Sequence, residues 1–308
     1  MKPDPLAFKA SWLALREPHD HAARDDALTG QLRRYLRSRS AVGAPGAPPD
    51  PSPLAACAPI HVLDLGCGTG SSLRYLAPRI EGNQHWKMVD RDPALLALLP
   101  ATFGSAVTIE PVCLDLAGDL RGLPLDDIDL ITASALLDLV SADWVDRLLD
   151  AASAASAASA ASAGSRRSSA AQPPALLLAL SYDGSVDWQP ALPDDRLAEA
   201  LFNRHQRGDK GIGPALGPDA AAEAARRLEG RGFSVTLAPS PWRLGVADSA
   251  IQRELLAGIA GAAAACAASE AEAARVRSWW AARDALLAEG KSTVEVGHQD
   301  LLAQPSPE

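Results

Sequence analysis

Cysteine is scarce in this chain of 308 residues, and its four copies lie far apart at Cys57, Cys67, Cys113 and Cys266. No two of them form a Cys-x-x-Cys pair, and no His/Cys cluster has the spacing of metal ligands. Disulfides persist mainly in oxidising compartments. The sequence therefore predicts free thiols, no bound metal and a reducing, cytoplasmic location.

Long apolar segments are also missing. The N-terminal stretch MKPDPLAFKASWLALREPHDH lacks the apolar core and cleavage site of a signal peptide. The most apolar later run, LLAGIAGAAAACAA, consists mostly of alanine and glycine and is too short to span a bilayer. We therefore expect neither a signal peptide nor a contact with membranes.

Positive charge is in the minority, with 29 Lys and Arg against 38 Asp and Glu and a net charge of −9. Adjacent basic residues occur only as short pairs such as Arg33-Arg34. A chain of this sign does not attract phosphate backbones, so nucleic acid is not an expected partner. The hydrophobic fraction of 47% predicts a folded globular protein.

Short apolar runs alternate with segments of helical spacing after a Pro/Ala/Gly linker. The runs that we interpret as strands read IHVLDLG, HWKMVDRD, AVTIEPVCLD, DIDLITAS, PALLLALSY, FSVTLAPS and STVEVGHQDLLA. Strands that alternate with helices are typical of a parallel sheet with both faces covered. The sequence thus predicts an α/β protein with a doubly wound, mostly parallel, seven-stranded sheet.

The pattern divides the chain into two parts. Residues 1–53 predict an N-terminal helical cap, broken near Pro18 by the fixed geometry of proline, and the linker. Residues 54–308 predict the main domain. Within it, an Ala/Ser repeat at 151–174 extends a helix and then forms a flexible loop, and 249–289 is a helical insertion before the last strand.

A glycine-rich turn follows the first strand in the sequence VLDLGCGTGS. Gly66, Gly68 and Gly70 allow a sharp turn and let a ligand press against bare backbone at the crevice of an open α/β sheet. The spacing G-x-G-x-G differs from the G-x-G-x-x-G of dinucleotide-binding folds. Asp64, just before the turn, would repel a pyrophosphate and attract a cationic ligand.

Two further carboxylates follow the next two strands. Asp90 lies 20 residues beyond Gly70 and can accept hydrogen bonds from both hydroxyls of a ribose. Asp115 lies beside Leu116 and can face the edge of an adenine, although a lone Asp at a strand end is also often a helix cap. An adenosine that carries an ammonium and a sulfonium matches this set of groups.

Residues 56–183, approximately, resemble the class I S-adenosylmethionine-dependent methyltransferases, which have a Rossmann-like sheet of seven strands. The resemblance implies that S-adenosylmethionine is the cofactor and that a last, antiparallel strand at 293–303 lies beside the fifth and sixth. The cofactor-binding residues that it implies are Asp64, Gly66, Cys67, Gly68, Gly70, Asp90, Arg91, Asp115, Leu116 and Ser134. Arg16, from the N-terminal cap, can meet the methionine carboxylate or form a surface ion pair with Glu17 or Asp20.

The acceptor is less clearly marked. The fourth strand ends in Ser134-Ala135-Leu136-Leu137, without the [N/D]-P-P-[Y/F] motif typical of enzymes that methylate base amines or glutamine amides. Residues 202–211 predict a polar loop after the fifth strand, where insertions in this family build the acceptor pocket. There His205 or Asp209 can deprotonate a hydroxyl, and Lys210 can hold an anionic group of the acceptor, although such loops are often merely solvated.

We therefore predict an enzyme that moves a methyl group from S-adenosylmethionine to a small polar metabolite at oxygen or nitrogen. The alternatives are an aminopropyl or aminocarboxypropyl transferase, an NAD-dependent oxidoreductase and a non-catalytic nucleotide-binding module. Neither the acceptor nor the oligomeric state follows from the sequence.

Overall fold

A computed structural model describes residues 8–41, 58–161 and 172–306. Its strands are β1 Ile60–Leu65, β2 Gln84–Asp90, β3 Val107–Cys113, β4 Leu130–Ser134, β5 Ala175–Gln189, β6 Phe233–Pro239, β7 Trp242–Leu244 and β8 Thr293–Pro305. Its α-helices are α1 Ala10–Ala23, α2 Asp26–Ala41, α3 Ser71–Leu76, α4 Pro93–Leu96, α5 Ala142–Ala161, α6 Asp195–Gln206, α7 Ala220–Glu229, α8 Ser249–Ala265 and α9 Glu270–Ala288.

The described strands form a single sheet in the order β3-β2-β1-β4-β5-β8-β6, with β7 also paired to β8. The first five strands pair in parallel, and β8 runs antiparallel to β5, β6 and β7. The predicted doubly wound, mostly parallel sheet is confirmed, including the antiparallel last strand. The short β7 is an eighth strand that the sequence pattern did not separate from β6.

Alternate residues of the strands point to opposite faces of the sheet, and both faces are covered. On one face, Leu63 and Ile131 pack in one apolar cluster with Trp144 of α5. On the other face, Val62 belongs to a second cluster that contains Leu73 of α3. Because the sheet is covered on both sides, a ligand has access at the carboxyl ends of the strands, where β1 and β4 diverge to opposite neighbours.

Helix α1 continues through Pro18 and ends at Ala23, so the predicted break near Pro18 is wrong. An interior proline removes one backbone hydrogen bond. Here the Arg16–Asp20 ion pair brackets it, with Nε–Oδ2 at 2.9 Å. The chain leaves the helical conformation at Arg24 instead, where ψ is 140°.

The prediction of a loop at 202–211 is wrong in its first half, because α6 extends to Gln206. Local composition is polar, but Ala198 and Leu201 are buried on one face of the helix. Asn203 fixes it further by accepting from the Tyr182 hydroxyl and donating to the Gly184 carbonyl, both at 2.8 Å. The loop begins only at Arg207.

Two predictions about the insertions have different outcomes. Helix α5 does extend into the Ala/Ser repeat, as far as Ala161, whereas the predicted flexible loop includes residues 162–171, which lie outside the described residues. The insertion before the last strand is helical, as expected, and forms α8 and α9. Both helices pack on the apolar cluster that contains Trp242 of β7.

Candidate active site

The glycine turn between β1 and α3 has the backbone conformation that its sequence predicted. Gly66, Gly68 and Gly70 have φ angles of +64°, +54° and +87°, a region that L side chains rarely adopt. A Cβ on Gly70 would lie 2.8 Å from Cδ2 of Leu99, and one on Gly68 would lie 3.0 Å from Cδ1 of Leu13. The turn therefore depends on glycine for its conformation and for the close approach of its neighbours.

Asp90, at the end of β2, is hydrogen-bonded to this turn. Its Oδ2 accepts from the backbone N–H of Gly68 at 2.8 Å, and its Oδ1 accepts from the N–H of Asp92 at 2.9 Å. Each carboxylate oxygen has a further lone pair, and Asp90 lines the larger of the two cavities that adjoin the glycine turn. The predicted ribose acceptor is thus held rigidly against the turn.

The larger cavity has a volume of about 500 Å³ and brings together eight of the predicted cofactor residues. Those eight are Arg16, Gly66, Gly68, Asp90, Arg91, Asp115, Leu116 and Ser134. Its walls also include apolar residues that the sequence analysis did not select, namely Phe8, Leu13, Leu95, Leu136, Leu139 and Ile212. This mixture of an apolar wall and a few convergent polar groups is typical of a nucleoside pocket.

A smaller cavity of about 60 Å³ lies beside the glycine turn. It shares Leu13, Arg16, Gly66, Gly68 and Ser134 with the larger cavity. The rest of its wall consists of Asp20, Cys67, Thr69, Ser71 and Ser72. The site therefore has a spacious part and a small polar part that meet at common residues.

Arg16 stands at the boundary of the two cavities in a fixed orientation. Its Nε and Nη2 donate to the carboxylate of Asp20 at 2.9 and 3.1 Å. Its guanidinium also lies over the rings of Trp242 and Trp12, 5.1 and 6.0 Å from their centroids. Both sequence interpretations of Arg16 are therefore compatible with the structure, because it lines the site and also pairs with Asp20.

Asp64 and Gly70, two of the predicted cofactor residues, lie behind the cavity walls. Gly70 precedes the first residue of α3. Asp64 is only 1% exposed, and burial raises its pKa to about 8, although the positive charge of Arg24 acts in the opposite direction. Burial also raises the pKa of the Cys67 thiol, which keeps it protonated. Cys67 therefore forms part of the wall of the smaller cavity and is not suited to act as a nucleophile.

Asp138 follows β4 and lies along the chain between Leu136 and Leu139, which line the larger cavity, while its own side chain lies behind that wall. It is 7% exposed, and its Oδ1 has no hydrogen-bond partner among the described residues. Burial raises its pKa to about 6, while backbone N–H groups and the positive charges of Arg16 and Lys210 lower it. A carboxylate with this pKa is ionised at neutral pH and can accept a proton.

The three predicted acceptor residues lie outside the walls of the two cavities. Nζ of Lys210 is 2.8 Å from the carbonyl oxygen of His205 and 3.1 Å from its Nδ1. Burial is the main cause that lowers the pKa of both side chains. Oδ1 of Asp209 accepts from the N–H of Gly211 at 2.7 Å in a local turn. Of these three residues, Lys210 is linked to the site through its positive charge, which acts on Asp138. Ile212, two residues further along the chain, lines the larger cavity.

The family comparison agrees with this geometry. Residues 62–157 match the family model of a methyltransferase domain. This match agrees with the class I, S-adenosylmethionine-dependent methyltransferase that the sequence pattern predicts. The matched segment runs from β1 to α5 and so includes the glycine turn, Asp90, Asp115 and Asp138. Among curated proteins, no sequence matches this chain.

Three solved structures are similar to this chain. One is an S-adenosylmethionine-dependent methyltransferase from Geobacter sulfurreducens in complex with S-adenosyl-L-homocysteine. It is 15% identical, the match covers 98% of this chain and 100% of the other, and the TM-score is 0.41. Loganic acid methyltransferase with S-adenosyl-L-homocysteine has 12% identity, 99% and 98% coverage and a TM-score of 0.48. The cyclopropane synthase MmaA2 from Mycobacterium tuberculosis has 14% identity, 97% and 95% coverage and a TM-score of 0.43.

Two polar residues of this region are not marked by any sequence pattern. The sequence predicts Asp20 only as an ion-pair partner on a helix surface. His298 of β8 is buried against the rings of Trp242 and Tyr182, and burial lowers its pKa to about 3. Neither belongs to a motif. Asp20 lines the smaller cavity, and His298 packs against Trp242, which donates to Asp20, so tertiary contacts place both.

No helix among the described residues is long and apolar enough to cross a membrane.

Proposed function

We propose that this methyltransferase takes a methyl group from S-adenosylmethionine and transfers it to oxygen or nitrogen of a small polar metabolite. The main observation is that the larger cavity, with Asp90 on its wall, joins a smaller one whose wall carries Arg16 and Asp20. A nucleoside with a zwitterionic amino-acid tail has the same division into a large apolar part and a small part of both charges.

The residues present fit this cofactor in their donors and in their shape. Gly66 and Gly68 lie on the wall of the larger cavity, so a ligand there can approach backbone that carries no side chain. We assign Asp90 to the ribose hydroxyls, Asp115 and Leu116 to the adenine, and Arg16 to the methionine carboxylate. S-adenosylmethionine supplies a methyl group that its sulfonium already activates, so the protein contributes mainly position and charge.

We place the acceptor beside Asp138, at the boundary between the end of β4 and the segment from His205 to Lys210. Asp138 is the group best suited to take a proton from an acceptor hydroxyl or ammonium, because it is buried, ionised at neutral pH and short of one hydrogen bond. Lys210 orients an anionic group of the acceptor, and His205 and Asp209 hold the Lys210 segment in place. These roles extend the sequence prediction, in which His205 or Asp209 was the base.

Isothermal titration tests the donor first. We expect S-adenosylhomocysteine and S-adenosylmethionine to bind with comparable affinity and NAD not to bind. Binding of NAD without binding of S-adenosylhomocysteine would contradict the proposal.

Transfer is then measured with methyl-labelled S-adenosylmethionine and fractions of a small-metabolite extract. In a fraction that accepts label from the wild type, Asp138→Asn should lose transfer while it still binds S-adenosylhomocysteine. Lys210→Met should lose transfer as well, and Lys291→Met is its matched control, because Lys291 is exposed and forms an ion pair with Glu289. Full activity of Asp138→Asn would remove Asp138 from the mechanism, and label in a protein or nucleic acid fraction alone would exclude a small acceptor.

A further inference from the structure

Asp20 occupies an unusual position for a helix carboxylate. It lies on α1 next to Pro18, is 6% exposed and lines the smaller cavity together with Arg16, Ser71 and Ser72. A buried carboxylate is costly unless its oxygens are hydrogen-bonded or it meets a cation. The contacts of the two Asp20 oxygens therefore show what the cavity can still accept.

The hydrogen bonds of Asp20 leave one of its oxygens incompletely used. Oδ1 accepts from Nη2 of Arg16 at 3.1 Å and from Nε1 of Trp242 at 3.0 Å. Oδ2 accepts from Nε of Arg16 at 2.9 Å, and the described residues supply it with no second donor. A carboxylate oxygen has two lone pairs, so Oδ2 can accept one more charge-assisted hydrogen bond from a ligand in the cavity.

Arg16 is the complementary half of this arrangement. Its guanidinium is oriented by Asp20 and by the rings of Trp242 and Trp12, and its Nη1 makes no hydrogen bond to any described residue. The small cavity thus presents one available cationic donor and one available anionic acceptor on the same helix. An α-amino acid head group, with a carboxylate and an ammonium on one carbon, matches that pair.

Asp64 is poorly placed for the same task, although the sequence made it the first candidate. It lies on neither cavity wall, and the positive charge of Arg24 already acts on it. The carboxylate available to a ligand in the small cavity is therefore the one on α1, outside the glycine-rich motif.

We propose that Asp20 binds the ammonium group of the methyl donor and that Asp20 and Arg16 together select a donor with both its amino and its carboxyl group. This inference rests on the proposed function, since it assigns a specificity to the same donor site. It follows that α1 is part of the donor site. A decarboxylated donor, used for aminopropyl transfer, would lack the carboxylate that we assign to Arg16.

The test uses two ligands that differ by a single group. S-adenosylhomocysteine carries the ammonium, and S-adenosyl-4-thiobutyrate keeps the nucleoside, thioether and carboxylate but lacks the amino group. Isothermal titration of the wild-type protein should show S-adenosylhomocysteine bound at least about tenfold more tightly, since a charge-assisted hydrogen bond distinguishes them. In Asp20→Asn this preference should fall to about twofold or less. Asp26→Asn, at an exposed position of α2, is the control and should keep the full preference.

The readout is a ratio of two affinities in one preparation, so a reduced folded fraction does not alter it. An unchanged ratio in Asp20→Asn overturns the proposal. If both affinities fall equally, the ratio is unchanged and Asp20 acts only by holding Arg16. A wild-type protein that binds both ligands equally overturns it without any variant. A wild-type protein that binds neither ligand rejects the proposed function itself, which is a different result from the loss of discrimination.

Discussion

Oδ2 of Asp90 accepts a hydrogen bond at 2.8 Å from the backbone N–H of Gly68, which joins the end of β2 to the glycine turn after β1. The two residues are 22 positions apart along the chain, yet the shape of the turn depends on their contact. One carboxylate therefore both holds the turn and, in the proposed function, binds the ribose.

Replacement of Asp90 by alanine should weaken S-adenosylhomocysteine binding by at least about 10- to 100-fold, because charge-assisted hydrogen bonds to the ribose and to the turn are both lost. Titration calorimetry measures the change. The exposed Asp126 provides the control, and Asp126→Ala should bind as the wild type does. Unaltered affinity in Asp90→Ala would refute the ribose assignment.

Gly70→Ala and Gly82→Ala form a matched pair for the glycine turn. Both glycines have φ near +90°, at +87° and +88°, so alanine at either costs about 1–2 kcal/mol of backbone strain. Only at Gly70 does the added Cβ also clash, 2.8 Å from Leu99, whereas the space at Gly82 is open. We expect a lower melting temperature in both variants, and weaker S-adenosylhomocysteine binding only in Gly70→Ala. Equal binding by the two variants would show that the turn tolerates the change.

Arg24→Met tests the buried ion pair that fixes the end of α1 to the sheet. Nε of Arg24 lies 3.3 Å from Oδ2 of Asp300, and both side chains are buried. Its removal leaves the carboxylate of Asp300 without its cation, at a cost of about 3–5 kcal/mol in the free energy of unfolding. The control is Arg243→Met, because the side chain of Arg243 is 72% exposed in its pair with Glu295. This change should lower the free energy of unfolding by less than about 1 kcal/mol. Denaturant unfolding compares the two, and equal losses would contradict the interpretation.

Asp64 gives the unfolding free energy a definite pH dependence. Its pKa rises from 3.8 in the unfolded chain to about 8 in the folded one. Between these values the folded protein binds a proton that the unfolded chain has released, so stability from this group is present below about pH 4 and is lost as the pH rises toward 8.

Asp64→Asn removes that proton linkage. Without ligand, the variant should melt about 2 °C or more above the wild type at pH 8.5, on the order of 1 kcal/mol, and the difference should shrink toward pH 4. Thermal unfolding across this range checks the sign, with Asp126→Asn as a control that shows no such trend. A variant that is less stable than the wild type at pH 8.5 would mean that Asp64 is ionised and paired in the folded state.

The parts of the fold and site that the sequence predicted are those set by local patterns. The turn is predicted from Gly66, Gly68 and Gly70, because few other residues tolerate its left-handed conformation. The place of Asp90 in the site is predicted from its position at the end of the next strand. Asp20 could not be found in this way, since its role depends on Trp242, which lies 222 residues away along the chain. Helix α6 escaped for a related reason, because buried contacts of Ala198 and Leu201 outweigh the polar composition of its last turn.

Strand β8 has a consequence for the order of folding. Among the described strands, β6 is hydrogen-bonded only to β8, which enters the sheet between β6 and β5. During synthesis, residues 233–239 leave the ribosome well before residues 293–305 and have no strand to pair with until then. This half of the sheet therefore closes after translation has passed α8 and α9, while the glycine turn and the strands around it can assemble earlier.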